Sequence, residues 1–485
     1  MASLLPEMEY QIGAEQAARL SFEKVAGETP TTQGERLSKL SDRILTIANE
    51  TADRIRAAVP STDNSASGIF LVNTLPWQRT LVLPWTAANP PAASDAITEC
   101  WQQDSGLQLE VELPAGGFVW LHETVGGNVV KVAANRGKAL AETLLLRNKF
   151  FEVQLSDQTG GISGVVFHGQ RGNRVSQQVA FRYEESKTIT TEDEEVTLGY
   201  AASRLVSSRI VASGPLTGSI ETSNEIFDPA SQTVMAKYRQ TTTVERNSPQ
   251  LHICIEFDEI SELPTGNPWM TYYAARIAWD NEAASIVRSC LGQAAGFRME
   301  RFEAPDYIEV ADQDQRLLIL PHGRPYHRRS GYRMLDSLLL VEGEDARTFE
   351  FTLEFDQPFP MRSAAEVLSP PALRETSGTV PSGASSGWII GVSAKNVVVA
   401  RTRTVHQKVE KTDDGSSEST ETSVVLLLQE TEGRSANCMI KTARPPRSAR
   451  LRKATGETIQ QLAVNKNGVQ IEFSRFQMKQ IELTF

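Results

Sequence analysis

The apolar residues of the chain follow two different periods, and the change between them divides the sequence. Up to Pro60 the pattern is helical, with one helix predicted over about residues 7–25 and a second from Thr32 onward. In the second helix the apolar positions recur at spacings near three, four and seven, at Leu37, Leu40, Ile44, Ile47 and Ile55. We therefore predict a helical segment over residues 1–62, which is either the end of a helical bundle that begins upstream or a pair packed on the β structure behind it.

After this segment the apolar residues alternate with polar ones, which is the period of a β-strand. The stretch GIFLVNTLPWQRTLVLPW predicts two strands around a Pro-containing turn, and LQLEVELPAGGFVWLHE predicts two more around a Gly-Gly turn. These strands indicate a small β module over residues 66–135. We place Trp77 and Trp85 in its core rather than on a sugar-binding face, because each lies beside alternating apolar residues.

The longest β region covers residues 140–358. Its strand-like segments are long, alternate with polar residues and show almost no helical period, which favours large antiparallel sheets packed face to face. Residues 359–387, rich in Pro, Ser, Gly and Ala, are predicted to be an extended or mobile connection, and residues 388–485 a last β module. The predicted fold class is therefore mainly β, with an N-terminal helical hairpin as the remnant of a bundle, followed by β-sandwich modules of which one is very large.

The composition limits the class of protein and its partners. Apolar residues make up 40% of the 485 residues, and no apolar run approaches the roughly 18–20 residues that span a bilayer. The N-terminal stretch lacks the basic and apolar regions of a secretory signal, so the chain is expected to be cytoplasmic if it is the full product, with no membrane partner. The formal net charge of −11 argues against nucleic acid as a partner, because binding to its backbone requires a basic face.

Sequence motifs for common catalytic chemistry are absent. None of the six histidines begins an HxD, HxH or HExxH motif, so no metal site is expected within this chain, and there is no GxSxG, P-loop or GxGxxG motif. The four cysteines lack CxxC spacing and are interpreted as buried thiols. The acidic clusters TEDEEV, VEGEDAR and ADQDQR fall at predicted turns and are interpreted as solvated charge, although the carboxylate pair of a glycosidase has no fixed sequence spacing.

Two loops have a composition suited to sugar binding, in which aromatic rings meet the apolar faces of the sugar and planar polar groups meet its hydroxyls. They are LPTGNPWMTYYAARIAW and LPHGRPYHRR, and their candidate residues are Trp269, Tyr272, Tyr273, His322, Arg324, Tyr326, His327 and Arg328. For the first loop, aromatic residues on a sandwich face are an equally simple interpretation. For the second, the alternatives are a solvated hairpin or arginines that pair with the acidic clusters.

Three stretches, taken in order, resemble the non-catalytic part of glycoside hydrolase family 38, the α-mannosidases. The first, like N-x-L-x-W-x-R at the start of the first β module, is matched by Asn73, Leu75, Trp77 and Arg79. The second, a strand followed by an Asp and Thr-Gly-Gly-Ile turn, is matched by Asn148, Phe151, Asp157, Thr159, Gly160, Gly161 and Ile162. The third, like L-x-E-x-x-G-R in the last module, is matched by Leu428, Glu430, Gly433 and Arg434.

The resemblance implies a galactose-mutarotase-like supersandwich for the large β region. It also implies that zinc, its His-x-Asp ligands and the nucleophilic aspartate of the retaining mechanism belong to an N-terminal α/β barrel, which this sequence does not contain, so we assign no catalytic residue, metal ligand or cofactor to this chain. The expected partners are a mannoside-type glycan and a catalytic barrel domain on the same or a separate polypeptide. By the resemblance, the LPHGRPYHRR loop lies at the substrate edge or docks the barrel.

Three functions remain open from the sequence. The chain is the C-terminal β portion of an α-mannosidase-like hydrolase that is inactive alone, or it is a free-standing carbohydrate-binding protein. The third possibility is an independent mutarotase-like or lyase-like sugar enzyme. That enzyme would require an acid and a base on the sandwich face, such as His322 or His327 opposite a Glu.

Overall fold

The computed structural model describes residues 43, 46–103, 106–133, 139–185, 197–263, 267–409 and 419–485. The described residues form two compact units, one within Met1–Ala134 and Ser369–Phe485 and the other within Asn135–Leu368. Strands are numbered β1 to β37 in chain order, and the predicted mainly β class is confirmed. The first predicted helix and the acidic TEDEEV stretch lie outside the described residues.

The unit within Asn135–Leu368 contains a ten-stranded sheet. Its strands, in the order in which they pair, are β20 (Arg301–Glu303), β23 (Tyr326–Gly331), β24 (Met334–Leu340), β17 (Tyr272–Trp279), β11 (Val175–Glu185), β10 (Ile162–Phe167), β9 (Phe151–Leu155), β8 (Leu145–Arg147) and β7 (Ala141–Glu142), with β12 (Thr197–Tyr200) paired to β11.

The same unit contains a nine-stranded sheet. Its strands, in pairing order, are β13 (Ala202–Ser213), β14 (Thr217–Phe227), β15 (Val234–Glu245), β16 (Gln250–Ile260), β25 (Thr348–Phe355), β22 (Arg316–Leu320), β21 (Ile308–Ala311), β18 (Ser285–Cys290) and β19 (Gln293–Gly296). The large two-sheet sandwich predicted from the long alternating strands is therefore confirmed.

The two sheets enclose one apolar interior because their strands alternate in polarity. In β15, every second residue from Ala236 to Val244 is buried, and its neighbours are partly exposed. Aromatic rings meet across the interior, where Tyr273 of the ten-stranded sheet lies 5.3 Å from Phe257 of the nine-stranded sheet, centroid to centroid. This interior is the main source of stability in the unit.

A buried amide pair crosses the same interior. The Nε2 group of Gln177 donates to Oε1 of Gln240 over 3.1 Å, and the Nε2 group of Gln240 donates to Oε1 of Gln177 over 2.8 Å. Because each amide satisfies the other, both polar groups are buried without an unpaired carbonyl or amide in the pair. The pair also links β11 to β15, so it fixes the position of one sheet relative to the other.

Helix α2 (Pro360–Leu368) packs on the outer face of the nine-stranded sheet. Its buried Ala364 contacts a cluster formed with Tyr307, Leu318 and Leu320. The alternation of β22 explains this cluster, since Leu317 and Ile319 point into the sandwich and Leu318 and Leu320 point outward. The helix therefore covers apolar residues that the outer face would otherwise expose.

The other unit contains the small β module and the one described N-terminal helix. Residues 46–58 form helix α1. The three sheets of the module, with strands in pairing order, are β26 (Ala372–Thr376), β2 (Gly68–Asn73), β6 (Gly117–His122) and β28 (Ser386–Trp388); β3 (Arg79–Pro84), β5 (Gly106–Leu113) and β4 (Ile97–Gln103); and β1 (Ser61–Ser65) with β27 (Thr379–Pro381).

Helix α1 packs on the small β module. Its buried Ala52 and Ile55 join a cluster with Phe70 and Trp120 of the four-stranded sheet. Trp77 and Trp85 are both buried, which agrees with the prediction that they are core residues.

The segment 359–387 differs from the extended connection that its composition predicts. It contains α2 and three strands, because the edges of the small module supply hydrogen-bonding partners for its backbone: β26 pairs with β2, β27 with β1 and β28 with β6. Most of the Pro, Ser and Gly residues that indicated a linker lie between these short elements or at their ends.

The C-terminal β module consists of two sheets around a second apolar core. In pairing order, the strands are β29 (Ile390–Val392), β32 (Ala436–Thr442), β36 (Gly468–Phe473) and β35 (Val464–Asn465); and β30 (Val397–Val409), β31 (Ser419–Glu430), β37 (Met478–Thr484), β33 (Ser448–Arg452) and β34 (Thr458–Leu462). The core includes Leu426, Ile440, Ile471 and Leu483. The predicted last β module is therefore present as a sandwich.

The four cysteines differ in their exposure to solvent. Cys100 and Cys438 are buried and Cys254 is partly buried, but Cys290 is exposed at the end of β18, so the prediction of four buried thiols is wrong for Cys290. Alternation explains the difference, because the neighbouring Ser289 takes the buried position of the strand. Within the described residues, no helix combines the length and apolar character needed to cross a membrane.

The Thr-Gly-Gly-Ile turn between β9 and β10 yields a test of the fold. Gly160 has a φ of 71°, and a Cβ at this position would lie 1.8 Å from Oδ1 of the buried Asn224. We expect Gly160→Ala to lower the free energy of unfolding by at least about 2 kcal/mol, because it adds a clash to the backbone strain. Urea unfolding of the full chain measures this.

Gly169→Ala is the matched control. Gly169 has a similar φ of 77°, but a Cβ there would meet no atom within 4 Å. It should cost about 1 kcal/mol, from the backbone conformation alone. Equal losses in the two variants would show that the contact with Asn224 does not matter.

Candidate functional site

The two loops singled out in the sequence meet at the β20–β23 edge of the ten-stranded sheet. The rings of Trp269 and Tyr326 lie edge to face, with centroids 5.9 Å apart and planes at 85°. The guanidinium carbon of Arg301 lies 5.8 Å from the centroid of the Trp269 ring. Tyr326 remains 48% exposed, so the cluster presents aromatic surface to solvent. We call Trp269, Arg301, Tyr326 and Arg328 the edge cluster.

Arg328 holds the first loop in place. Its side chain is buried, its Nε donates to Oε1 of Glu300 over 2.7 Å, and its Nη1 donates to the backbone carbonyl of Trp269. The same Nη1 lies 3.4 Å from the sulfur of Met270. A planar guanidinium suits this role because its donors are fixed in direction. Arg328 therefore positions the Trp269 ring and does not itself face solvent.

His327 lies beneath the edge cluster, inside the protein. Its side chain is 0% exposed, its Nδ1 lies 3.0 Å from the hydroxyl of Ser337, and its Nε2 lies 3.1 Å from the carbonyls of Ala304 and Arg324. Carbonyls only accept, so Nε2 carries the proton and the Ser337 hydroxyl donates to Nδ1. Burial lowers the pKa of His327 to about 4, so the ring is neutral at pH 7.

The two tyrosines of the first loop are also buried. The hydroxyl of Tyr272 donates to Oδ2 of Asp336 over 2.9 Å, and Arg276 donates to both oxygens of the same carboxylate over 2.7 and 2.9 Å. Burial, together with the nearby charge of Asp336, raises the pKa of Tyr272. Tyr273 points to the opposite side and belongs to the sandwich interior. Both residues begin β17, where alternation sends one to each face.

His322 lies in the second loop but belongs to a different cluster. Its Nδ1 lies 3.3 Å from Oε2 of Glu350, its Nε2 lies 3.0 Å from the hydroxyl of Thr352, and the same hydroxyl lies 3.0 Å from Nδ1 of His252. This chain of side chains lies on the outer face of the nine-stranded sheet, because His252 and Thr352 are opposite each other on β16 and β25. His322 is thus separated from Tyr326 by the turn that links the two sheets.

One hydrogen bond of this cluster has a fixed direction. The hydrogen bond from His322 is the main cause of the lowered pKa of Glu350, so the carboxylate is ionised and accepts from Nδ1–H of His322. Nε2 of His322 and Nδ1 of His252 both lie 3.0 Å from the hydroxyl of Thr352, which can donate to only one of them. Burial, followed by the nearby His322, lowers the pKa of His252 to about 4.

The sequence Thr352, His322, Glu350 has the hydrogen-bond order of a nucleophile, base and orienting carboxylate. Access decides against that role, since Thr352 is 0% exposed and no substrate atom reaches its hydroxyl in this arrangement. Within this cluster, only His322 and Glu350 form an acid–base pair of the kind that an independent sugar enzyme requires.

Arg324, the last of the eight candidates, lies outside the edge cluster. Its guanidinium carbon lies 4.2 Å from the centroid of the Phe349 ring, and burial lowers its pKa. The structure therefore brings together Trp269, Tyr326 and Arg328, and Trp269 packs against a buried cluster that contains Tyr272. The other four candidates lie elsewhere: His322, Arg324, His327 and Tyr273.

Sequence reasoning missed several residues of both clusters. Arg301 belongs to the edge cluster and Glu300 borders it. The cluster around His322 is completed by His252, Glu350 and Thr352. The only sequence signal for the second set is that His252, Glu350 and Thr352 occupy polar positions of alternating strands. Their pairing across about a hundred residues of chain has no signature in the sequence.

The buried His327 makes the stability of the unit dependent on pH. Its pKa in the folded state, about 4, lies below the ordinary value near 6.5, so the unfolded chain binds more protons between these values. Its contribution is complete above pH 6.5 and is lost as the pH falls toward 4. Between pH 7 and 4.5 we expect it to account for about 2–3 kcal/mol of lost stability.

Urea unfolding at several pH values tests this expectation. His327→Gln should be less stable at pH 7 but should lose about 2–3 kcal/mol less on acidification, whereas His406→Gln, at an exposed histidine of β30, should follow the original curve. If His327→Gln does not fold, nitrogen-15 NMR of the original protein replaces it. A His327 ring already protonated at pH 5.5 would contradict the expectation.

Known proteins resemble the chain in structure but not measurably in sequence. It matches no family model and no curated protein. A solved α-mannosidase from Enterococcus faecalis V583 superposes with a TM-score of 0.67 and 11% identity, covering 99% of this chain and 66% of that protein. A solved protein of glycosyl hydrolase family 38 from Enterococcus faecalis superposes with a TM-score of 0.64 and 11% identity, covering 93% of this chain and 62% of that protein.

At 11% identity these superpositions establish the fold. They agree with the order of sequence motifs, which points to the same proteins. Over about two-thirds of their length, the glycoside hydrolase family 38 α-mannosidases share the fold of this chain.

Proposed function

We propose that this chain is the β-domain region of an α-mannosidase-like glycoside hydrolase that acts together with a catalytic α/β barrel domain on the same or a separate polypeptide. The observation that carries the proposal is the superposition of 99% of the chain on about two-thirds of an α-mannosidase. About one third of that protein has no counterpart in this chain. The substrate class is a mannoside-type glycan.

Zinc chemistry is assigned to the barrel and not to this chain. Within the described residues, no group of three or more His, Cys, Asp or Glu side chains is arranged to hold a metal ion. The described residues therefore offer no set of ligands for a zinc site, and no step of hydrolysis is assigned to them.

The role proposed for this chain is to form the edge of the substrate site with the edge cluster. Tyr326 offers an exposed ring against which the apolar face of a sugar packs, and Trp269 supports that ring from the side. Arg301 supplies guanidinium donors next to the rings, where they reach the sugar hydroxyls. Arg328 fixes the position of the Trp269 loop through its hydrogen bond to the carbonyl of Trp269.

A free-standing carbohydrate-binding protein would use the same exposed aromatic surface. The two functions differ in their dependence on the barrel. A carbohydrate-binding protein binds glycans without the barrel, whereas an edge surface supplies only part of the contacts and binds glycans weakly without it. Binding measurements on the chain alone and on its complex with the barrel therefore separate them.

The first test is activity of the purified chain with zinc on an aryl α-mannoside. We expect no release of the aryl group above the rate of the buffer, because the groups that hold zinc and attack the sugar are assigned to the barrel. A complex with the catalytic barrel should be active. Zinc-dependent turnover by the chain alone would contradict the proposal.

The second test concerns the edge cluster. In the complex with the barrel, Tyr326→Ala should raise the KM for an α-mannosyl oligosaccharide by about tenfold, because the loss of one stacked ring costs about 1–2 kcal/mol. An aryl monosaccharide, which does not extend to the edge, should be hydrolysed normally. Steady-state kinetics with the two substrates provide both values.

Tyr332→Ala is the control for this change. Tyr332 is 86% exposed in the turn after β23 and lies outside the edge cluster, so its removal should leave both substrates unaffected. Equal effects of the two tyrosines, or none from Tyr326, would exclude the edge cluster from substrate binding.

A further inference from the structure

A cavity of about 340 Å³ lies on the outer face of the five-stranded sheet in the C-terminal β module. Three arginines line it, Arg401, Arg403 and Arg452. The rest of its wall is small or uncharged and consists of Val425, Leu427, Ala454, Thr455, Gly456 and Gln480. Among the described residues that line the cavity there is no carboxylate.

The sheet register places these side chains on one face. Arg401 is opposite Leu427, Leu427 is opposite Gln480, and Gln480 is opposite Arg452, so the four form one row across β30, β31, β37 and β33. Directly opposite residues in antiparallel strands point to the same face. The row therefore has an arginine near each end and a floor that is partly apolar between them.

The next row of the same face is also basic. It runs from Arg403 through Val425 and Glu482 to Arg450. Glu482 is fully buried and is shared by Arg450 and Arg452, which each reach its Oε2 over 2.7 Å. The two rows together hold four guanidinium groups and one carboxylate, in a chain whose formal net charge is −11.

Arg401 and Arg403 carry the unbalanced charge. Both are exposed and lie two residues apart on the same face of β30, and neither forms a hydrogen bond or an ion pair with any residue that the structure describes. Two guanidinium groups so placed repel each other, and an anion between them removes the repulsion. The electrostatics of the cavity thus favour an anionic ligand.

The β33–β34 turn fixes the third arginine. Nε of Arg452 donates to the carbonyl of Gly456 over 2.9 Å, and a Cβ on Gly456 would lie 2.7 Å from Nη2 of Arg452. Gly456 has a φ of 95°, which glycine adopts without strain. A guanidinium tied to Glu482 and to this turn keeps its position before the ligand arrives, which lowers the entropic cost of binding.

The size of the cavity and its uncharged floor indicate more than a free ion. Guanidinium groups bind phosphate oxygens in pairs and with direction. A volume of about 340 Å³ is at the lower end of sites for small organic ligands. Leu427 and Val425 offer an apolar surface, and Gln480 and Thr455 offer hydrogen-bonding groups for hydroxyls. We propose that this cavity binds a phosphate monoester of about the size of a sugar phosphate.

The proposal does not rest on the mannosidase assignment, since the cavity and all its residues belong to the C-terminal β module. It assigns a binding site and no chemical step. The phosphate group lies between Arg401, Arg403 and Arg452, and the organic part lies over Leu427 and Gln480.

Isothermal titration of the full chain tests the site with three probes: mannose 6-phosphate, inorganic phosphate and mannose. We expect the ester to bind at least tenfold more tightly than inorganic phosphate, mannose not to bind, and the affinity for the ester to fall as salt is raised. Equal affinities for the ester and for inorganic phosphate would overturn the assignment of an ester. No binding of either would overturn the site.

Variants with matched charge locate the binding. Arg401→Ala with Arg403→Ala should weaken ester binding at least tenfold, whereas Arg444→Ala with Arg475→Ala removes the same charge from exposed positions outside the cavity and should change it less than twofold. Gly456→Ala should also weaken binding, because it displaces Arg452. Equal losses in the two double variants would mean that overall charge, and not this cavity, attracts the ester.

Discussion

The ten-stranded and nine-stranded sheets share one apolar interior, and it decides which side chains of their strands point inward and which point outward. Strands of eight to eleven residues send every second side chain inward, where Phe181, Tyr273 and Phe257 are in contact. The paired amides of Gln177 and Gln240 lie in the same interior and tolerate no shift of one sheet along the other, because each would lose its partner. Because side chains alternate along each strand, fixing the inward residues also fixes which polar residues lie on the outer faces.

The edge cluster shows how buried polar residues support an exposed surface. Tyr326 and Trp269 come from loops more than fifty residues apart, and Arg328 joins them because it follows Tyr326 by two residues and bonds to the carbonyl of Trp269. His327, which lies between Tyr326 and Arg328 in the sequence, is neutral at pH 7 and forms hydrogen bonds at both ring nitrogens. The residues that seemed chemically most reactive in the sequence thus stabilise the loops that carry the aromatic surface.

The two arginine-rich places of the molecule have different electrostatic character. In the unit within Asn135–Leu368, Arg276 is paired with Asp336 and Arg328 with Glu300, and both arginines stabilise the fold. In the C-terminal module, Arg401 and Arg403 lack such a partner among the described residues and face a cavity. An unpaired cation in a concave site attracts ligands, whereas a paired one in the interior does not.

The sequence by itself determined the classes of element, the large sandwich, the burial of Trp77 and Trp85 and the likeness to α-mannosidases, because period and turn residues are local properties of the chain. It did not determine which residues meet. The pairing of β16 with β25, which joins His252 to Thr352, and the row from Arg401 to Arg452 depend on strands distant in sequence. It also assigned residues 359–387 to a linker, since only the free strand edges of the small module gave that backbone its partners.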